Sequence, residues 1–597
     1  MVYLEVYQLA REPISPFVVC VLPELVPNSS RTVSYPNYIH EILCHAGLCY
    51  SAVAVDLLSV ELPHISILLT VGEYQLSDDL YAMLRSWIAA GGQWISIGGL
   101  CGAAELFGVA LDPPSYVGYP ADALNNLGEG YLQRFTTTRL LEHITFPLHF
   151  FNGIPVQGTS ASVLAKVLDK HQRPTSRVAL TTKGFGKGSS TLIAIDIPGT
   201  VVRIQQGLGV TRDGVSAPDG SAPVCDGVLK SGDGAVLDWT FDRQPVPDVP
   251  RLKAFLEPIT DLWRELLLRI IFTALESADV ALPLLWLYPN NLPAIAHLSL
   301  DTDGNNPTLG QRLLEVVDKA GIASTWCVIA PGYPKDLISR IGASGHDLAM
   351  HYDAMSSDCH WSQTMFRQQW LTLVALFGAE PKTNKNHFLR WEGDVELFRW
   401  CKEHGIELDQ SKGGTKTGEA GFNFGTCHPY FPITFSGEIL DVLELPCHTQ
   451  DLHIFAPPAM FYALLAATLR SHGILHLIHH PAYIANPGVS NSLLEAIAAA
   501  QSQGLMWWSA TMINSWERAR RNVRWQWQHT NDGSTKVLLK TPVALKQATI
   551  LWRCRPDQSI KRDYTVQASE IVRRWGFEFN AVTVDLAADS TAPWTCG

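Results

Sequence analysis

The segment HLSLDTDGN, residues 297–305, closes a short apolar stretch with two carboxylates, Asp301 and Asp303. On an extended strand, residues i and i+2 point to the same side. Where the strand ends and the chain turns at Gly304, the two carboxylates can therefore share one site. One can ligate a hard or borderline metal ion, and the other can act as base toward a water molecule. The same string also fits an Asx-type turn after a buried strand. Both readings stand until the downstream sequence is considered.

Several segments with chemically apt residues follow at the spacing of successive βα units. ASGHDLAMHYDAM carries His346 and His351, and NKNHFLRWEGD carries His387 and Arg390. GIELDQSKGG carries Asp409, GFNFGTCHPYF carries His428, and ILHLIHHPAYI ends in His479, His480 and Pro481. Each lies at or near the end of an apolar strand-like run. In an α/β barrel, such strand ends converge on one mouth. Structural roles suit several of these residues better. His346 precedes a strand, His476 fits an apolar strand, and the adjacent Cys427 and His428 diverge on an extended chain. Asp409 suits capping of the SKGG turn, or tuning of the site from behind. His479 and His480 face opposite ways on a strand, so one of them supports the barrel wall.

At 597 residues the chain is too long for one ordinary core, and three or so domains are expected. A hydrophobic content of 47% with 17% charged residues is that of a well-packed protein. The net charge of −12, with no basic run, argues against nucleic acid or an anionic membrane as partner. The 12 cysteines lack CxxC or metal-finger spacing and read as reduced, mostly buried thiols. MVYLEVYQLAREP carries Glu5 and lacks the order of a signal peptide. With no apolar run long enough for a membrane span, a cytoplasmic location is expected.

Residues 1–210 alternate apolar strands with amphipathic helices. FVVCVLP, ISILLTV and QWISIGG read as strands, and LSDDLYAMLRSWIAAGG as a helix capped by Ser77 and stopped at Gly91–Gly92. That order predicts a parallel, doubly wound sheet. RVALTTKGFGKGSSTLIAIDIP reads as two strands around a glycine-rich turn. Residues 211–290 supply a Gly/Asp/Ser/Pro-rich linker and a connecting helix, with Ile259, Leu262, Trp263, Leu266, Leu267, Ile270 and Ile271 on helical spacing. Residues 291–518 alternate strand and helix again. Residues 519–597 show β alternation in TKVLLKT and QATILWR around an Asn-Asp-Gly turn at 531–533.

Two resemblances follow. GG, a strand and then GLCGAAELFG make residues 1–210 similar to the glutamine-amidotransferase-like, flavodoxin-like domains attached to many carbohydrate enzymes. Cys101 stands where that family's nucleophile would, but no His-x-Glu element accompanies it, and a buried, non-catalytic cysteine is expected. In residues 291–518, the order Asp-x-Asp-Gly, Gly-His-x-x-x-x-His, an Arg-bearing strand and a terminal strand ending in His resembles the NodB-type polysaccharide deacetylase family, in a divergent branch. The fold expected is thus a multidomain α/β protein. It has an N-terminal doubly wound flavodoxin-like domain, a central distorted (β/α) barrel of NodB type and a small C-terminal β domain.

The second resemblance implies a divalent metal, most simply zinc, and hydrolysis of N-acetyl groups on an amino-sugar carbohydrate. Carried over by position, Asp301 is the general base, Asp303 and His351 are metal ligands, Arg390 holds the base, and His480 is the general acid. A backbone N–H near Trp391 would assist at the oxyanion, with Asp409 and His479 as supporting candidates. The family's second metal histidine falls on Met355, a thioether poorly suited to catalytic zinc. His387 is the preferred replacement and His360 the next. The alternative is a barrel that lost its metal and serves as a carbohydrate-binding or assembly protein.

Overall fold

The computed structural model describes residues 14–22, 34–112, 126–214, 227–355, 360–416, 418–529, 535–553, 560–561 and 570–596. The N-terminal stretch 1–13, part of the 211–245 loop and the Asn-Asp-Gly turn at 531–533 lie outside the described residues. The chain divides into two compact units, each assembled from separated segments. The first comprises Met1–Val201, Leu262–Asn291 and Arg518–Gly597, and the second Val202–Asp261 and Leu292–Glu517.

The second unit is built on a parallel sheet. Its strands are β1 (Ile295–Asp301), β2 (Thr325–Ile329), β3 (Asp347–Tyr352), β4 (Thr383–Asn386), β5 (Leu408–Asp409), β6 (Leu443–Glu444), β7 (Thr449–Gln450), β8 (Ile474–His479) and β9 (Met506–Trp507). They lie in the order β6-β5-β4-β3-β2-β1-β8-β7, with β9 also on β1. Parallel neighbours need crossovers. Helices α1 (Pro307–Ala320), α2 (Lys335–Ala343), α3 (Gln363–Phe377), α4 (Glu396–Glu403), α5 (Pro458–Ser471) and α6 (Pro487–Ser502) supply most of them.

All seven residues of β1 are buried, and the two-residue period sorts them. Leu298 and Leu300 join the apolar core with Trp326, Val328, Met350 and Leu313. The alternate residues His297, Ser299 and Asp301 turn to a polar interior. There His297 Nε2 meets Gln410 Oε1 at 2.7 Å, and Ser299 Oγ meets His476 Nε2 at 2.8 Å. Lys385 of β4 reaches both Ser299 and Asp301. On a flat sheet β1 and β4 would stand roughly 14 Å apart, three strand spacings. The sheet must therefore curl around these side chains, which gives a parallel half-barrel.

This interior makes the fold sensitive to acid. Burial holds His297, His448 and His479 down to about 4 from an ordinary 6.5, and pushes His476 well below its usual value. As pH falls through about 6.5 the unfolded chain takes up protons that the folded chain refuses until about 4. The stability these residues contribute is complete above that window and lost on descending through it. For His297, His448 and His479 the shift corresponds to roughly 3 kcal/mol each. Thermal unfolding followed between pH 7 and 4 is expected to show a steep fall in Tm, and a flat profile would contradict neutral buried histidines.

In the first unit, Phe17–Val21, Ile67–Val71, Gln93–Ile97 and Gly188–Ile193 pair in parallel, with Ser51–Ala52 at the edge. The helix Asp78–Ala90 is capped by Ser77, whose hydroxyl accepts the Leu80 N–H, and stops at Gly91 with φ 131°. These elements match the sequence reading. The expectation of a parallel sheet covers only this half. Beyond Gly188–Ile193 the sheet continues antiparallel through Pro174–Phe185, Ser162–Asp169, Glu129–Arg134 and Leu148–Phe151. The glycine-rich turn makes a hairpin, and a hairpin reverses strand direction.

The C-terminal strands belong to the same unit. Leu545–Trp552 lies between Pro283–Leu285 and Phe577–Leu586, and Phe272 packs ring to ring against Trp575, Phe577 and Phe579. The helix carrying Phe272, Ile259–Ala278, is the one expected from its apolar spacing. Among the described residues, no helix is long and apolar enough to cross a membrane.

Candidate metal centre and its acid–base residues

Asp301 ends β1 as a buried residue, and Asp303 follows in the left-handed region at φ 40°. The turn is fastened to β2. Thr302 N–H donates to the Cys327 carbonyl, the Ile329 N–H donates to Thr302 Oγ1, and Asn305 Nδ2 donates to the Ile329 carbonyl. Asn306 then caps α1 by accepting the Thr308 and Leu309 N–H groups. The turn's hydrogen bonds run through Thr302, Asn305 and Asn306, and set the backbone from which Asp301 and Asp303 project.

Three donor atoms converge beside this turn. Asp303 Oδ1 lies 3.4 Å from His351 Nε2 and 3.5 Å from His387 Nε2, and one donor atom from each of the three residues fits within 4.8 Å. Two ligands on one tetrahedral zinc at ~2.0–2.1 Å are separated by about 3.3 Å. Asp303 Oδ1 and His351 Nε2 are buried with no hydrogen-bond partner. The opposite ring nitrogens are engaged: His351 Nδ1 with the Lys385 carbonyl at 2.9 Å, and His387 Nδ1 with Asp353 Oδ1 at 3.0 Å. A ring that donates through Nδ1 leaves the Nε2 lone pair free for a cation. The donor set, its spacing and its orphaned atoms fit a divalent metal.

Acid–base groups flank these donors. Lys385, fully buried, sets its ammonium 3.1 Å from Asp301 Oδ1 and also donates to Ser299. Burial alone would raise Asp301. Lys385, then His351 and His480, outweigh it and hold the carboxyl below its usual range. Asp301 in turn holds Lys385 charged against its own burial. Asp303 is likewise opposed by burial but brought to about 2 by His351, His480 and His387. His480 Nε2 lies 3.8 Å from Asp303 Oδ2. Its Nδ1 bonds Asp451, and its backbone N–H donates to the same carboxylate at 2.8 Å. Burial pushes His480 down, but Asp451 prevails and raises it to about 9. Asp303 is 33% exposed while Asp301 is 6% exposed, so the centre opens on the Asp303 side.

The structure thus brings Asp301, Asp303, His351, His387 and His480 together. Arg390 does not join them. Between β4 and Arg390 the chain reverses through Phe388 and Leu389, at φ 58° and 50°. The guanidinium then bonds Glu392, at 3.2 Å through Nε, and the Ala354 carbonyl. The cation on Asp301 is Lys385, five positions earlier and still inside the strand. Arg390 instead pins the turn that carries Asp353, the partner of His387. Trp391 also turns away: its backbone N–H donates to the Leu229 carbonyl at 3.1 Å and its indole N–H to the Asp394 carbonyl at 3.2 Å. Neither N–H of Trp391 is thus left for an oxyanion.

Asp409 bonds Asn384 Nδ2 at 2.7 Å and Ser411 Oγ at 2.9 Å, tying β5 to β4 behind the site. His479 is buried, with Nδ1 3.6 Å from Asp451 Oδ1. Met355 donates its N–H to Asp353 Oδ1 and supplies no ligand, and the His360 carbonyl accepts from the Tyr352 hydroxyl. His346 bonds Ser324 and Asp318, a structural role.

Sequence reasoning missed Lys385, Asp353 and Asp451. The signal for Lys385 was a wholly polar strand, TNKN, buried at every position. Asp353 repeats the i, i+2 spacing of Asp301 and Asp303, this time from His351. Asp451 had no local signal.

Asp261, Cys427 and His428 form a second close group. Its atoms are already used: Asp261 accepts from Thr426 Oγ1 and from the Cys427 N–H and Sγ, and His428 Nε2 meets the Ser471 carbonyl. In the first unit, Cys101 takes the left-handed φ of 54° found in nucleophile elbows. Burial, with Glu73 nearby, pushes its thiol to about 12. Glu73 accepts the Leu100 and Cys101 N–H groups at 2.7 Å each, which fills the place an oxyanion would need. Burial and the neighbouring carboxylate thus both oppose the thiolate that a nucleophilic cysteine needs.

No family model matches the chain, and no curated protein matches it. Solved structures do. One assigned as a polysaccharide deacetylase from Mycobacterium smegmatis is 18% identical, over 39% of this chain and 93% of that one, with a TM-score of 0.31. The Puue allantoinase is 15% identical, over 39% and 92%, at 0.30. A mutant of a CE4-family pseudoenzyme with restored enzymatic activity is 13% identical, over 38% and 69%, at 0.26. The solved structures to which this chain shows a low-scoring similarity include one assigned as a polysaccharide deacetylase, an allantoinase and a mutant of a CE4-family pseudoenzyme.

Proposed function

We propose that the second unit is a metal-dependent hydrolase that removes an acyl group, in the first instance acetyl, from the amide nitrogen of an amino-sugar-containing carbohydrate. The observation that carries this reading is the pair of buried, partnerless donor atoms on Asp303 and His351, set between a paired carboxylate and a paired imidazole. Asp303, His351 and His387 would hold the metal, and when bound it supplies an electrophile for the acyl carbonyl and acidifies water.

The chain's own residues perform the proton transfers. Asp301, kept ionised by Lys385, takes the proton of the attacking water. Ser299 and Asp301 together fix the Lys385 ammonium, so the carboxylate cannot swing toward solvent. His480 carries a proton at neutral pH because Asp451 stabilises its charge. It delivers that proton to the departing amine nitrogen, which cannot leave as an anion.

Metal analysis tests the proposal directly. The purified protein is expected to carry one equivalent of zinc or to take it up on titration. His351→Ala and His387→Ala should each weaken binding at least 100-fold and abolish acetate release from N-acetylated chito-oligosaccharides. A protein that binds no added metal and releases no acetate would instead be the carbohydrate-binding module.

A further inference from the structure

One row of side chains crosses three neighbouring strands behind the candidate ligand His387, and the acid–base chemistry uses none of it. Asn384 of β4, Asp409 of β5 and Glu444 of β6 are partners in the parallel register, and all three are buried. The Asp409 and Glu444 carboxyls meet in a side-chain hydrogen bond. A carboxylate only accepts, so that bond requires a proton on one of the two. Asp409 Oδ1 accepts from Asn384 Nδ2 at 2.7 Å and from Ser411 Oγ at 2.9 Å, and Oδ2 accepts the Ser411 N–H at 3.1 Å. Glu444 Oε1 accepts the Lys412 N–H at 2.9 Å, while its buried Oε2 receives no donor among the described residues. Three donors favour the ionised form of Asp409, which leaves Glu444 Oε2 as the place for the proton.

Other titratable groups face this pair. The Lys412 ammonium lies 3.9 Å from the Trp391 ring centroid; burial pushes it down, and Glu444, Asp394 and Asp409 oppose that. Burial pushes up the thiols of Cys401 on α4 and of Cys447 after β6. From Asp409 Oδ1, two hydrogen-bond arms run to Asn386, the last residue before His387. Asn384 Nδ2 donates to Asn386 Oδ1 at 3.0 Å, and Ser411 Oγ accepts the Asn386 N–H at 2.9 Å. Asn386 Nδ2 then donates to the Arg390 carbonyl at 2.9 Å, across the turn that holds His387 and the left-handed Phe388 and Leu389.

We propose that Asp409 and Glu444 share one proton, carried by Glu444, and that through Asn384, Ser411 and Asn386 this pair positions His387. Removing the proton sets two like charges side by side in the interior and loosens the anchor of Asn386. The inference rests on the metal reading for its zinc arm only, because amide exchange reports on the turn, and thermal unfolding on the proton, without metal.

The test compares full-chain variants. Glu444→Gln still accepts the Lys412 N–H and donates to Asp409 at every pH, so zinc affinity at pH 7 and amide exchange over residues 385–391 should match the parent. Asp409→Asn turns an amide N–H toward groups that themselves donate. Its zinc affinity should fall about tenfold, as when a ligand's outer support is lost, and exchange over 385–391 should quicken in the metal-free chain. Asn384→Ala cuts one arm and should do the same to a smaller degree; it carries the test if circular dichroism shows Asp409→Asn unfolded. Burial, with Asp409, raises Glu444 in the fold. The stability its proton supplies is therefore complete below the ordinary carboxyl range and lost as pH rises toward the raised value. Glutamine has no such loss. The Tm of Glu444→Gln minus that of the parent should grow by about 3 °C or more from pH 5 to 8, the buried histidines cancelling in the difference. A flat difference overturns the proposal. So does a Glu444→Gln variant that loses as much zinc affinity as Asp409→Asn, or Asp409→Asn and Asn384→Ala variants that exchange like the parent. If the parent binds no zinc while exchange and Tm behave as expected, the carboxyl pair stands and the hydrolase reading falls.

Discussion

Asp301→Asn is expected to lower kcat for acetate release by about 10²–10⁴-fold, the range a positioned general base contributes, with KM and zinc stoichiometry unchanged. Asparagine keeps the shape at the end of β1 but cannot take a proton. It also faces a buried ammonium, since Lys385 approaches no carboxylate but Asp301 within ion-pairing distance among the described residues. The variant is therefore expected to unfold at lower temperature as well. Activity must be measured well below that temperature, with zinc bound. A variant retaining more than a tenth of parental kcat under those conditions would remove Asp301 from the base role.

The second large effect concerns Lys385. Lys385→Met removes one member of a fully buried ion pair and leaves the Asp301 carboxylate uncompensated, which costs about 3–5 kcal/mol. For a unit of this size, Tm is expected to fall by roughly 5–15 °C. Activity falls with it, because an Asp301 deprived of its cation tends to protonate and is no longer held in place. The double replacement Asp301→Leu/Lys385→Met separates the two roles: removing both charges should recover most of the lost stability and none of the activity. If the single Lys385→Met variant is as stable as the parent, the pair does not hold the half-barrel together. If the double variant is active, the proposed chemistry is wrong. Arg390→Met, by contrast, should act through the Ala354–Asp353 turn on His387. Its loss should show first as weaker zinc binding.

The grouping of residues that carry a local signature was legible in the sequence. Asp301 and Asp303 are two residues apart at a strand end, and His351, His387 and His480 each end or follow an apolar run. Their convergence follows from the parallel topology. Lys385 was not legible, because its role depends on the curl that brings β4 across to β1, and curl is a property of the whole sheet. Arg390 was misplaced for a related reason. Two left-handed residues between it and β4 redirect the chain, and neither is a glycine that would have advertised the reversal. Asp451 meets His480 from the turn after β7, at a separation no spacing rule covers. In the first unit, the strands and the Ser77-capped helix were readable from period and punctuation. Which of them pair antiparallel depends on partners far along the chain.

The discontinuity of the two units has a consequence for synthesis. Both segments of the second unit precede Arg518, so every strand of its sheet is synthesised before the final stretch is made. The first unit cannot finish then. Pro283–Leu285 must wait for Leu545–Trp552, more than 250 residues later, and Phe272 must wait for the aromatic cluster at 575–579. Vectorial folding therefore completes the half-barrel first and the unit that holds the amino-terminal sheet last. A chain stalled after Glu517 has cleared the ribosomal exit tunnel, but before Leu545–Trp552 emerges, would hold a complete half-barrel with Pro283–Leu285 still without its partner strand. That waiting edge is where a chaperone would be needed.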